Sequence, residues 1–324
     1  MKKGRASGLG RSAAAVAALL FVVGGCGPAV FTQAAGSPTP SPIIALPTEL
    51  PDAVSYEQSL PLFEYDRSVP FDVVETMAYP RKSATFHDLS YVGANGVRMP
   101  AYLVVPWGKV PHAGITWMGW TGGYTQIREE FVAEAEDMAD EGVVSLLVSG
   151  YFPWYAAPAD KDADRMAMIG QVRELRRAVD FLLSQANVDA DRIGFVGHSM
   201  GAMHGIDLVA VDHRVKAAVL LAPHATMTDW IFDGYGLDPA TEDEYRKVMA
   251  SFDPLAFVPH AAPSALFFQF ASDDPYVPEA AADSLFNAAS NPKKIGRYSG
   301  AHDLDEQART ERDAWLTQEL ELTN

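Results

Sequence analysis

The stretch RIGFVGHSMGAMHG, Arg192 to Gly205, decides how the rest of the chain is read. An apolar run, Ile193 to Val196, breaks off into Gly197-His198-Ser199-Met200-Gly201. Helix-forming residues follow from Met200. A serine between two glycines at such a junction is either a tight turn or a nucleophile. The pentapeptide alone is weak evidence, but a strand before it and a helix after it form the setting that a nucleophile requires. A sharp strand-to-helix turn forces the serine into a strained backbone conformation, and side chains at 197 and 201 would collide. Ser199 Oγ would then point into the crevice at the carboxyl ends of the strands. The N–H of Met200, at the start of the helix, would aim where an oxyanion forms.

The flanking sequence alternates strand and helix. Ala84–Val92 and Val97–Val105 are separated by Ala94-Asn95-Gly96, a strong hairpin signal. Strands are predicted at Gly114–Met118, Val143–Val148, Arg192–Val196, Ala217–Leu221, Ala265–Phe270 and Lys294–Tyr298. Helices are predicted at Arg128–Asp140, Arg165–Leu183, from Met200, at Pro278–Ala289 and at Leu304–Leu320. In the second of these, apolar residues recur at 168, 172, 175, 179 and 182, the spacing of one helix face. Fully apolar strands between helices indicate a mostly parallel sheet of eight strands, covered on both faces, with the hairpin at one edge. Residues 60–79 show no clear period and are expected to be an arm packed on the domain. Residues 224–262 interrupt the alternation and form a possible cap insertion.

A serine hydroxyl needs a base, and the base needs an orienting acid. In this arrangement the chain order is serine, acid, histidine. Among the downstream histidines, His213 follows the elbow helix toward the wrong end of the sheet, and His224 begins the insertion. His260 reads as surface or core. His302, in Tyr298-Ser299-Gly300-Ala301-His302, lies just past the last strand, where a loop reaches the crevice. The acid should follow the penultimate strand, where Asp273 and Asp274 compete. Asp274 opens an Asp-x-x-Val-Pro segment ahead of a helix and is the expected partner of His302.

On Gly197-His198-Ser199-Met200-Gly201, Asp274-Pro275-Tyr276-Val277-Pro278 and Gly300-Ala301-His302, the chain resembles the α/β-hydrolases. The nearest likeness is to dienelactone-hydrolase-like esterases and the catalytic domains of acyl-peptidases, over residues 60 to 320. The resemblance implies the α/β-hydrolase fold, a Ser199-Asp274-His302 triad and an acyl-enzyme intermediate in carboxylic ester hydrolysis. These hydrolases commonly carry His-Gly after the third strand. Here the segment is Trp117-Met118-Gly119-Trp120, with Met118 in the histidine's place. The second oxyanion donor would then be the N–H of Trp120, beside that of Met200. Tyr151, Trp154 and Trp230 are candidates for lining the pocket. No metal or other cofactor is expected.

The first residues are of a different kind. Lys2, Lys3, Arg5 and Arg11 precede a short apolar run, Ala13 to Val23, which is a secretory signal pattern. The run ends in Val23-Gly24-Gly25-Cys26, which resembles a bacterial lipoprotein cleavage box. Residues 1–25 are expected to be the signal peptide, lipidated Cys26 the anchor at the cell envelope, and 26–59 a proline-rich tether to a hydrolase domain over 60–324. Cys26 is the chain's one cysteine, so no internal disulfide forms. The chain of 324 residues carries a net charge of −17, or −21 without residues 1–25. That charge argues against nucleic acid and polyanionic substrates. A small ester is the expected substrate. A peptidase, an acyltransferase and a non-catalytic surface-binding protein share the same residues as alternatives. About 80 residues precede the hairpin, fewer than the large extra N-terminal domain of acyl-peptidases.

Overall fold

The computed structural model describes residues 46–47, 50–108, 110–120, 128–150, 160–229 and 238–322. The expectations for residues 1–25, Cys26, most of the tether, Tyr151, Trp154 and Trp230 lie outside them.

A single sheet runs through the molecule. Its strands are β1 (Val74–Arg81), β2 (Ala84–Val92), β3 (Arg98–Pro106), β4 (His112–Met118), β5 (Val143–Val148), β6 (Val188–His198), β7 (Ala217–Leu221), β8 (Ala265–Ala271) and β9 (Lys293–Tyr298). The spatial order is β1-β2-β3-β5-β4-β6-β7-β8-β9. The first three strands and the β3–β5 pair are antiparallel, and every pair from β5 to β9 is parallel. The order therefore reverses around β4, which lies between β5 and β6. Open α/β sheets bind ligands at the carboxyl ends of the strands beside such a reversal. Met118 and Ser199 leave those ends.

The central strands are apolar because both faces are covered. Along β7, Ala218 and Leu220 belong to one core cluster, and Ala217, Val219 and Leu221 to the other. The first cluster is closed by the helices Lys161–Leu183 and Met200–Val211, and the second by Val132–Asp140 and Glu306–Glu319. The hairpin turn is made as its sequence predicts. Gly96 takes φ 74°, which glycine adopts without strain, and the Gly93 N–H donates to Val97 O.

Among the described residues the sheet has nine strands, not eight. β1 pairs antiparallel with β2 from Val74↔Ser90 to Arg81↔Ala84. It escapes sequence reading because it is an edge strand with almost no buried residue, so it shows no alternation of polar and apolar positions. Only the segment ahead of it is an arm. That arm is held by a device with no periodic signature: buried arginines of the Lys161–Leu183 helix donate to its backbone carbonyls. Arg165 reaches Pro51 O at 2.8 Å and Leu50 O at 3.1 Å, Arg173 reaches Leu62 O at 2.7 Å, and Arg176 reaches Phe63 O at 2.6 Å. Arg177 donates to Arg67 O and Val69 O. An irregular arm cannot satisfy its own carbonyls, and a guanidinium supplies five donors in a fixed fork.

The residue 224–262 region contributes a helix over Pro239–Met249 and a short one over Pro254–Phe257. Met227, Met249, Phe252 and Phe257 pack into the first core cluster. Asp253 is buried there, and its Oδ1 accepts from the Met227 N–H at 2.8 Å. Burial, with help from the Asp229 charge, pushes this carboxyl up to about 7, despite the Met227 hydrogen bond. A carboxyl raised in the folded state contributes stability in full below the ordinary carboxylate range, and that contribution is lost as the pH rises through about 7. Asp253→Asn keeps the acceptor and stays neutral. It should therefore raise Tm at pH 8, and by less at pH 5, where the unfolded carboxyl has ionised and the folded one has not. Thermal melts of both proteins at the two pH values measure this.

Candidate active site

Ser199 sits at the junction of β6 and its helix with φ 54° and ψ −117°, outside the regions a non-glycine residue ordinarily occupies. Hydrogen bonds hold it there. Its N–H donates to Leu221 O at 2.7 Å, and its carbonyl accepts from the Met203 N–H at 3.0 Å. The two flanking glycines are required by backbone, not by side chains. A Cβ on Gly197 would lie 2.5 Å from Gly201 O, and one on Gly201 would lie 2.3 Å from Met118 O. The first turn of the elbow helix thus packs directly against the end of β4. Met200 is its first helical residue, where N–H groups lack intrahelical acceptors.

His302 follows β9 in the loop after Gly300, which takes φ 121°. Its Nδ1 lies 2.8 Å from Asp274 Oδ2. The other oxygen, Asp274 Oδ1, accepts from the N–H groups of Tyr276 at 2.8 Å and Val277 at 3.1 Å. Burial alone would raise the Asp274 carboxyl, but the hydrogen bonds from His302, Tyr276 and Val277 outweigh it and hold the group below the usual range. Between the two competing aspartates, the structure puts Asp274 against the histidine. The Asp273 side chain is exposed, while its N–H donates to Gly300 O at 2.9 Å and ties the two loops together. The other weighed histidines sit elsewhere: His260 stacks on Tyr56 with centroids 3.6 Å apart, and His224 Nδ1 lies 2.8 Å from Thr226 O.

Ser199 and His302 line one cavity of about 370 Å³. Among the described residues, Trp120, Pro275, Tyr276, Ala301 and Asp303 also line it. Trp120 and Tyr276 are 42% and 55% exposed, so two aromatic rings stand at the mouth. None of residues 224–229 or 238–262 lines this cavity.

The oxyanion expectation for Trp120 needs correction. Its N–H donates to Glu130 Oε2 at 2.8 Å and is not open to a substrate oxygen in this structure. A carboxylate is a stronger partner than a neutral carbonyl, and Glu130 lies next to the backbone because residue 119 has no side chain in the way. The same carboxylate places Oε1 2.5 Å from His198 Nδ1, and His198 Nε2 lies 3.1 Å from His302 O. Neither Glu130 nor His198 carries a role in the sequence reading. His198 is visible there only as the variable position of the pentapeptide.

Comparison with known proteins agrees with this architecture. A family model described as serine hydrolase matches residues 160–307, a span that holds Ser199, Asp274 and His302. The chain is 31% identical over 137 residues to polyketide transferase ATR5 of Stachybotrys chlorohalonatus, a match that covers 37% of this chain and 43% of that protein. Among solved structures, acetyl xylan esterase 1 from Thermoanaerobacterium sp. superposes with a TM-score of 0.67 at 15% identity, covering 85% of this chain and 96% of that one. An acetyl xylan esterase from Paenibacillus sp. R4 gives 0.64 at 17% identity, covering 81% and 92%. A glucuronoyl esterase from Solibacter usitatus gives 0.58 at 14% identity, covering 82% and 92%. The sheet order, the elbow after β6 and these superpositions together assign the chain the α/β-hydrolase fold.

The clash at residue 201 can be tested. Gly201→Ala should cost about 3 kcal/mol, because the methyl meets backbone that cannot swing aside. Urea titration followed by circular dichroism measures it. A cost within about 0.5 kcal/mol would show that the helix and β4 separate freely.

Proposed function

We propose that this protein is a serine hydrolase that cleaves small carboxylic esters. The observation that carries the reading is a strained serine sharing one cavity with a histidine whose far nitrogen is held by a buried aspartate. The Asp274 contact leaves His302 Nε2 for the serine. Ser199 Oγ attacks the ester carbonyl and its proton passes to His302 Nε2, giving a tetrahedral oxyanion. The Met200 N–H faces that charge at the start of the helix. Asp274 holds the imidazole tautomer and stabilises the imidazolium. Collapse breaks the C–O bond, His302 protonates the leaving alcohol, and an acyl-Ser199 ester remains. Water, deprotonated by His302, then releases the acid and restores the hydroxyl.

The rim favours an uncharged substrate. Trp120 and Tyr276 offer flat apolar contacts, whereas Asp303 and the net charge of −17 oppose an anion. The match to a polyketide transferase supports a second reading, in which an alcohol replaces water in the second half-reaction. Ester product formed in the presence of an added alcohol distinguishes the two.

The cleanest test combines turnover and labelling. Ser199→Ala should lower hydrolysis of p-nitrophenyl acetate by about 10³-fold or more and abolish fluorophosphonate labelling, with an unchanged circular-dichroism spectrum. Activity near that of the wild type would sink the assignment. We also propose export with a lipid on Cys26. In a bacterial host, Cys26→Ser should move the protein from the membrane to the soluble fraction and abolish incorporation of radiolabelled palmitate.

A further inference from the structure

Glu130 joins three loops that the proposed chemistry needs. It follows β4 and heads the Val132–Asp140 helix. One carboxylate oxygen accepts from the Trp120 N–H at 2.8 Å. The other lies 2.5 Å from His198 Nδ1, in the residue before the nucleophile. His198 in turn faces the backbone of the catalytic-histidine loop, with Nε2 3.1 Å from His302 O and the two imidazole centroids 4.9 Å apart. The His198 side chain is 3% exposed, so water does not compete for its nitrogens.

The proton count on this bridge is determined by its partners. A carbonyl oxygen only accepts, so His198 Nε2 must carry a proton and donate it to His302 O. Nδ1 then faces a carboxylate oxygen at a distance that requires one proton between them, held as imidazolium with carboxylate or as imidazole with carboxylic acid. Without Glu130, His198 loses the partner at Nδ1 that holds its ring with Nε2–H turned to the His302 carbonyl. Residue 119 supports the same conclusion, since a Cβ there would lie 2.3 Å from Glu130 Oε2. The glycine leaves room for the carboxylate.

We infer that Glu130 is a positioning residue for the esterase site: it holds the His198 ring whose Nε2–H bonds the His302 backbone and, with its second oxygen, pins the Trp120 peptide at the cavity rim. The inference rests on the esterase reading of Ser199 and His302. Glu130 touches neither substrate nor the reacting atoms. Its effect is on where His302 sits, and misplacing a catalytic group by about 1 Å costs up to about 100-fold in rate.

The substitution series separates geometry from charge. Glu130→Gln can donate from its amide to His198 Nδ1 and still accept from the Trp120 N–H, whereas Glu130→Ala does neither. With p-nitrophenyl acetate, Glu130→Ala should lower kcat by about tenfold or more with KM changed less than about threefold. Glu130→Gln should restore most of that kcat, and Glu130→Ala combined with His198→Ala should be no worse than the poorer single variant. Unchanged kcat in Glu130→Ala, equal losses in the Gln and Ala variants, or additive losses would each overturn the inference. A reading independent of variants and of activity comes from ¹⁵N NMR of histidine-labelled Ser199→Ala protein, in which His198 should carry a proton on Nε2. A bare Nε2 overturns the bridge even if the Ala variant fails to fold. If wild-type protein hydrolyses no ester while His198 Nε2 remains protonated, the esterase reading fails and the bridge stands.

Discussion

The close approach of the elbow helix to the end of β4 is the constraint on which the site depends. With Gly201 against Met118 O and Gly119 O, the helix begins as near to the sheet as backbone atoms allow. That proximity drives Ser199 to φ 54° and lifts its side chain out of the turn, and it brings the helix start alongside the loop that leaves β4. The strain is offset by the ladder around it, since the serine's own N–H and C=O are both bonded, to Leu221 O and to the Met203 N–H. The location follows from topology. β4 lies between β5 and β6, so the chain leaves β4 toward β5 and leaves β6 toward β7, and a crevice belongs at the carboxyl ends where the two connections part.

Charge is used inside this protein in two ways. On the helix Lys161–Leu183, arginines with almost no exposure bond the carbonyls of the N-terminal arm. A buried cation is thereby matched with backbone acceptors that would otherwise stay unsatisfied. At the site, single carboxylates are shared between loops. Asp274 holds His302 with one oxygen and its own turn with the other, and Glu130 holds His198 with one and the Trp120 peptide with the other. Each carboxylate ties two segments, and His198 Nε2 at 3.1 Å from His302 O joins the pairs, so the ends of β4, β6, β8 and β9 are fixed relative to one another and not merely to the sheet beneath.

Where sequence reading failed, the cause is in each case a feature without period or spacing. β1 is an edge strand whose residues are mostly exposed, so no alternation marks it. The arginines at 165, 173, 176 and 177 lie off the apolar positions of their helix and carry no mark of burial in the sequence, yet they are buried because the arm lies on them. From sequence the Trp120 N–H reads as free for an oxyanion, because the acceptor of a backbone donor leaves no mark there. Its partner Glu130 is ten residues away, and only the folded turn between them makes the contact.

The sequence by itself determined the order of strands and helices, the hairpin at Asn95-Gly96, the elbow around Ser199 and the position of His302 after the last strand. These are local: hydrophobic period, turn chemistry and the steric demand for glycine act within a few residues. Only the tertiary structure decided which of Asp273 and Asp274 meets His302, how the Trp120 N–H is used, and that Glu130 and His198 bridge the loops. Those depend on side-chain directions and on contacts between residues 10 to 104 positions apart, and no rule of spacing carries them.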